Sequence, residues 1–215
     1  MTATSTLSRS APTRTAHRPR WVRTAGILIA TGGVLLTAAT ALEVWTDVAT
    51  AATAATAFWI LFLASTLAHV VAMFPLALGR GDGAGAVGAS LVGKLALLGF
   101  GATFLANQSM YLLVAYLLTD AGSLAPGAEA FLFAMSAVQG ILLLVGGAMI
   151  SAVGVLQGAA RWAILVLALV GIALGITINA SDSETVLATA YFVSTIAQII
   201  AGLLIARARV RVAAK

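Results

Sequence analysis

Residues 84–119 read AGAVGASLVGKLALLGFGATFLANQSMYLLVAYLLT, and the number of helices in this chain depends on how that stretch folds. The stretch is mostly apolar and contains no proline, so it could form one long helix or two short helices with a turn near Asn107–Ser109. A single helix over its 36 residues would be about 54 Å long, more than the about 30 Å of a bilayer core. One helix gives the chain six membrane spans, and two helices give it seven.

The composition of the whole chain is typical of a membrane protein. Hydrophobic residues make up 61% and charged residues 9%, whereas a soluble domain has about 45–50% and about 25%. Apolar runs long enough to cross a bilayer predict five further spans, at about 25–44, 54–78, 130–156, 162–178 and 186–206. We therefore expect an all-α polytopic bundle over residues 21–208, with a disordered basic tail at 1–20 and a second basic tail at 209–215.

Charge distribution favours six spans over seven. With six spans, every Lys and Arg lies on the side of the two termini, and six of the seven acidic residues lie on the other side. Seven spans would move Arg161 and the basic segment 207–211 to the opposite side. Cytoplasmic flanks of membrane spans carry an excess of Lys and Arg. The sequence therefore predicts six spans, cytoplasmic N- and C-termini, and an unusually long third helix.

The first apolar run, AGILIATGGVLL at residues 25–36, has a second interpretation. Basic residues precede it and Ala39-Thr40-Ala41 resembles a signal-peptide cleavage site. The run is long enough to span, however, and the basic region before it is unusually long, so we expect a retained span. The Ala, Gly and Arg bias is typical of GC-rich bacterial genomes, which predicts a bacterial plasma membrane. The basic flanks predict contact with anionic lipid head groups.

Polar residues inside the spans form the candidate site. His69 is the one ionisable side chain far from a predicted interface, and intramembrane ionisable groups are costly and often functional. Four amide side chains lie at broadly similar predicted depth. Together with the histidine they could line a small-ligand cavity, or the histidine could serve in a proton relay. The five candidate residues are His69, Asn107, Gln108, Gln139 and Gln198. In the other interpretation these side chains form interhelical hydrogen bonds, each worth about 0.6 kcal/mol.

Small residues spaced by four predict close helix packing, because they allow helix backbones to approach in lipid. The predicted packing positions are Gly81, Gly85, Ala89 and Gly93, then Gly154 with Gly158, Gly171 with Gly175, and Ala190, Ser194 and Gly202. Most should pack within the chain, although a homo-oligomer or another membrane protein is an alternative partner for them.

The residue inventory argues against several kinds of chemistry. The chain has no cysteine, and one intramembrane histidine cannot supply two axial haem ligands. The sequence GAGAVG at residues 83–88 matches the dinucleotide fingerprint only as text, because no strand precedes it. We expect no catalytic residue, metal, cofactor or nucleic acid. The leading hypothesis is a non-enzymatic accessory or structural membrane subunit, and the alternative is a small transporter or ligand binder with a cavity around His69.

Overall fold

The computed structural model describes residues 18–46, 48, 51–79, 85–114 and 126–211, without the side chains of 126–129. These residues form six helices, which are α1 (Arg20–Trp45), α2 (Ala52–Leu78), α3 (Leu91–Leu112), α4 (Pro126–Val153), α5 (Ala160–Asn179) and α6 (Glu184–Ala206). The described residues form no strand, apart from one isolated bridge between Leu156 and Val210. All the helices except α3 are long and apolar enough to cross a membrane. This is the pattern of an integral membrane protein, and it confirms the predicted helical bundle.

The third helix differs from the long one that the sequence predicted. It begins at Leu91 instead of residue 84, because Gly88 has φ +57° and the chain turns there. Ser90 then caps the new helix, since its side chain accepts a hydrogen bond from the N–H of Gly93 at 3.1 Å. The prediction of a helix over residues 85–90 was therefore wrong.

The described remainder of α3 is a single helix. The helix continues without a break through Asn107–Ser109, where a seven-span chain would need a turn. Residues 115–119 of the predicted span lie outside the described residues. Each of the other predicted spans overlaps one observed helix, and the largest difference is that α1 begins at Arg20, five residues before the predicted start.

The six helices close into a ring. Each packs against its neighbours in the sequence, and α1 also packs against α6. These two helices are antiparallel, because Gly26 lies against Gly202 and Ala206 whereas Trp45 stacks on Phe192 with ring centroids 5.6 Å apart. The start of α1 and the end of α6 therefore lie at the same end of the bundle.

Charge is segregated between the two ends of the ring. The end that holds the start of α1 carries all the described basic residues, namely Arg18, Arg20, Arg23, Lys94, Arg161, Arg207, Arg209 and Arg211. We call it the basic end. The opposite, acidic end carries Glu43, Asp182 and Glu184. The predicted tails lie mainly outside the described residues, at 1–17 and 212–215, as do Asp47, Arg80, Asp82 and Asp120.

The apolar core is concentrated in the basic half of the bundle. A short segment between α2 and α3 folds back into it, where Ala86 and Val87 are fully buried and the N–H of Ala86 donates to the carbonyl of Leu76 at 2.7 Å. Towards the acidic end, α4 over residues 130–142 and α5 over residues 169–179 bury no side chain completely. Packing is therefore tightest where the basic residues are and looser at the other end of α4 and α5.

Candidate functional site around His69

His69 lies in the middle of α2 and contacts three other helices. Its side chain is only 5% exposed. The Cε1 edge of the imidazole lies against Gly32 of α1, where a Cβ atom would be 2.5 Å from Nδ1 and 3.1 Å from Nε2. The ring of Phe104 from α3 has its centroid 5.6 Å away, and the side chain of Gln198 from α6 lies beside the imidazole. His69 thus joins four of the six helices.

Hydrogen bonds fix the tautomer of His69. Its Nδ1 lies 2.9 Å from the backbone oxygen of Ser65, and a carbonyl oxygen can only accept, so Nδ1 carries the hydrogen and donates it. In the neutral ring, Nε2 is then an acceptor. The hydroxyl of Ser65 donates to the carbonyl of Gly32 at 2.8 Å. One turn of α2 therefore holds the imidazole in place and is also bonded to α1.

The side chain of Gln198 lies beside the imidazole, and the orientation of its amide decides whether it can donate to the ring. His69 Nε2 and Gln198 Oε1 are both buried and have no hydrogen-bond partner among the described residues. Both are acceptors, so they cannot bond to each other as they stand, while Gln198 Nε2 faces the hydroxyl of Ser194 at 3.5 Å. A half-turn of the amide would let Gln198 donate to His69 and accept from Ser194. The three side chains are therefore complementary, and they can bond α2 to α6.

The remaining predicted polar residues do not join this group. Asn107 Oδ1 accepts a hydrogen bond from the hydroxyl of Ser136 at 3.5 Å, which links α3 to α4. Gln139 follows on α4, where its Oε1 is buried and has no partner among the described residues. Gln108 is partly exposed, and no hydrogen bond joins it to another described residue. The structure brings His69 together with Gln198 and places Asn107 at the contact between α3 and α4.

Two clefts on the described surface lie away from these polar residues. One, of about 360 Å³, is at the basic end between the start of α5 and the end of α6. The other, of about 230 Å³, is between α5 and α6 at the acidic end. None of the five predicted cavity residues lines either cleft. Within the described part of the chain, no group of three His, Asp or Glu residues is placed to hold a metal ion.

The predicted small-residue faces are present only in part. Gly93 is at a close contact, since a Cβ there would lie 2.7 Å from that of Val87 and 3.1 Å from that of Met149. Gly85 is equally tight against the backbone of Ala77, with 2.6 Å to its carbonyl carbon. Gly85 and Ala89 are in the turn before α3, so they do not share a helix face with Gly93. Gly81 lies outside the described residues.

The other predicted glycines have different surroundings. Gly154 and Gly158 have φ of +66° and +65°, so they provide the left-handed conformation of the turn between α4 and α5. Gly171 and Gly175 face open space, where an added Cβ would meet nothing within 4 Å. On α5, the spacing of four therefore does not mark a contact with another described helix.

The closest contact between described helices involves Gly202, which the small-residue spacing marks, and Gly26, which that spacing had not marked. A Cβ at Gly26 of α1 would be 2.6 Å from the carbonyl oxygen of Gly202, and a Cβ at Gly202 would be 2.8 Å from the Cα of Ala30. Gly26-x3-Ala30 on α1 and Gly202-x3-Ala206 on α6 carry the same small-residue spacing, and that shared spacing was the available signal.

No family model, curated protein or solved structure matches the chain.

Proposed function

We propose that this chain is a non-enzymatic accessory or structural subunit of a bacterial plasma membrane, with its basic end in the cytoplasm. The observation that carries the proposal is the packing of His69. Its ring lies against the backbone of Gly32 on one side, and the ring of Phe104 lies 5.6 Å away. In this position the histidine holds helices together.

The arrangement of the polar side chains supports the same role. A transport path or ligand site needs polar groups that converge on one accessible space. Here the His69 side chain lies beside Gln198 of α6, while Asn107 bonds to α4, and neither of the two clefts is lined by these residues. Interhelical hydrogen bonding explains the same side chains without any ligand.

The distribution of charge supports the proposed orientation. Every described Lys and Arg lies at the basic end, and cytoplasmic flanks are the ones enriched in these residues. Anionic lipids of the cytoplasmic leaflet attract such clusters, by about 1 kcal/mol for each residue near the surface.

A proton-coupled transporter is the second candidate, and one observation favours it. His69 Nε2 and Gln198 Oε1 are buried acceptors without a described partner, which is costly unless a donor reaches them. In a transporter, a proton or a donor group of the substrate would fill this role.

Reconstitution distinguishes the two candidates. Liposomes containing the wild-type protein and a pH-sensitive dye should acidify no faster than protein-free liposomes when a pH gradient is imposed. His69→Gln should leave that rate unchanged but lower the melting temperature, because the imidazole joins four helices. Gly171→Ala, which adds a methyl group in open space, is the matched control and should change neither quantity appreciably. Proton flux that requires the protein and disappears in His69→Gln would establish the transporter instead.

Purification from the native membrane tests the subunit role itself. In mild detergent the chain is expected in a larger assembly with another membrane protein. Elution only as a single 21.7 kDa chain with its detergent would contradict an accessory role.

A further inference from the structure

The cleft at the basic end is lined by both basic and apolar side chains. It lies where the turn between α4 and α5 meets the chain that leaves α6, and its volume is about 360 Å³. Two arginines, Arg207 and Arg209, line one side, and residues 158–160 line another. Leu204, which is 38% exposed on α6, adds an apolar wall.

Backbone hydrogen bonds hold the two arginines at the cleft. The N–H of Gln157 donates to the carbonyl of Arg209 at 3.0 Å, and the N–H of Arg211 donates to the carbonyl of Val155 at 2.9 Å. Together with the bridge between Leu156 and Val210, these bonds fasten the chain after α6 to the turn before α5. The backbone on both sides of the cleft is therefore fixed.

The polar groups that line the cleft are mainly donors. Neither Arg207 nor Arg209 forms an ion pair or a side-chain hydrogen bond with another described residue, and no acidic residue lines the cleft. The backbone N–H groups of residues 158–160 donate to no described acceptor, and no side chain caps the start of α5. Two cations and a helix N-terminus together favour an anion, and phosphate is the anion that arginine binds best in this way.

The apolar wall and the position of the cleft indicate the source of that anion. Leu204 lies on the exposed side of α6, one turn before the polar chain end, and Trp162 is half-exposed at the start of the adjacent helix. Tryptophan at a helix end is typical of the membrane–water interface, where phospholipid phosphates lie. A phosphate dissolved in water would gain nothing from the leucine, whereas a lipid can place an acyl chain along it.

We propose that this cleft binds the phosphate group of an anionic phospholipid, with Arg207 and Arg209 as the cations and the acyl chain beside Leu204. The site rests on the proposed function only in requiring that the basic end face an anionic leaflet. It adds a single defined lipid position to a general attraction between basic residues and the membrane.

Native mass spectrometry of the detergent-purified protein tests the site with phosphatidylglycerol as the probe. The wild type should retain one phosphatidylglycerol in preference to phosphatidylcholine. Arg207→Gln with Arg209→Gln should weaken binding about 25-fold, because each arginine near an anionic lipid contributes about a factor of five. Arg20→Gln with Arg23→Gln is the matched control, since it removes the same charge from exposed positions at the same end of the bundle. The control should weaken binding of this one lipid far less, because neither Arg20 nor Arg23 lines the cleft.

The outcomes separate the site from its alternatives. Equal losses of lipid binding in the two double variants would show that the basic residues attract lipid diffusely and that no defined site exists. Displacement of the lipid by inorganic phosphate at the same concentration would show that the cleft binds free phosphate. Equal binding of phosphatidylcholine would overturn the preference for anionic lipid. Arg207→Lys with Arg209→Lys should keep most of the binding, and a melting temperature equal to that of the wild type shows that each variant is folded. Loss of the lipid site would not affect the proposed subunit role, which the purification and flux measurements test separately.

Discussion

Gly32→Ala adds one methyl group between α1 and α2, at the point where His69 is most tightly held. The new Cβ would lie 2.5 Å from His69 Nδ1 and 3.1 Å from Nε2. Carbon atoms in ordinary contact are about 3.5–4.0 Å apart, so the ring would have to retreat by about 1 Å. The bond from Nδ1 to the carbonyl of Ser65, at 2.9 Å, opposes that movement, and the ring of Phe104, with its centroid 5.6 Å from that of His69, leaves less room for it.

The expected loss of stability follows from three contributions. Inserting a methyl group into a packed core costs about 1–3 kcal/mol, and breaking one buried hydrogen bond costs about 0.5–1.5 kcal/mol. Alanine is a better helix former than glycine by about 1 kcal/mol, which offsets part of the loss. We therefore expect Gly32→Ala to lower the free energy of unfolding by about 2 kcal/mol.

Unfolding in mixed micelles, with increasing sodium dodecyl sulfate, measures this difference. Gly171→Ala is the matched control, because its methyl group enters open space and should leave stability unchanged or slightly higher. In a His69→Ala background the obstructing ring is absent, so Gly32→Ala should cost almost nothing there. If Gly32→Ala is as stable as the control, or if its cost persists in the His69→Ala background, the assigned contact is not what limits residue 32.

The other expected changes concern the closing helices, the fold-back segment and the orientation. Gly202→Ala places a Cβ 2.7 Å from the carbonyl oxygen of Gly26. Because a backbone atom cannot rotate away, the variant should lose about 3 kcal/mol of unfolding free energy in the same assay. An unfolding transition like that of the wild type would contradict the close α1–α6 contact. Gly93→Ala places a Cβ 2.7 Å from a valine Cβ of the segment before α3 and should cost about 1–3 kcal/mol, so an unchanged transition would exclude the close packing. The chain has no cysteine, so a single introduced thiol can be labelled without background. With an impermeant maleimide, Ser183→Cys should react in intact cells and Ala159→Cys only after permeabilisation, and the reverse pattern would invert the proposed orientation.

The helices could be predicted largely because a bilayer requires long apolar runs. The start of α3 could not, because the Gly- and Ala-rich stretch before Leu91 is apolar enough to resemble a span. The start of α3 is set by local features, namely the positive φ of Gly88 and the N-cap provided by Ser90. Apolar composition alone does not distinguish a buried turn from a helix.

The candidate site was predictable in its central residue but not in its partners. His69 stands out because a histidine in an apolar span is unusual. Its pairing with Gln198, and not with Asn107, depends on the rotation of each helix about its own axis, which depth along the span does not report. The same rotation decides that Gly32 packs against a ring while Gly171 faces open space.

The contact between the first and the last helix has a consequence for biosynthesis. Because α1 and α6 form one of the closest contacts in the bundle, the ring cannot close until α6 has left the ribosome and entered the bilayer. Until then α1 presents the Gly26 and Gly33 side of its surface to lipid or to the insertion machinery, and His69 lacks its neighbour from α6. Assembly intermediates should therefore be open rings, whose exposed α1 surface a membrane chaperone could hold until α6 arrives.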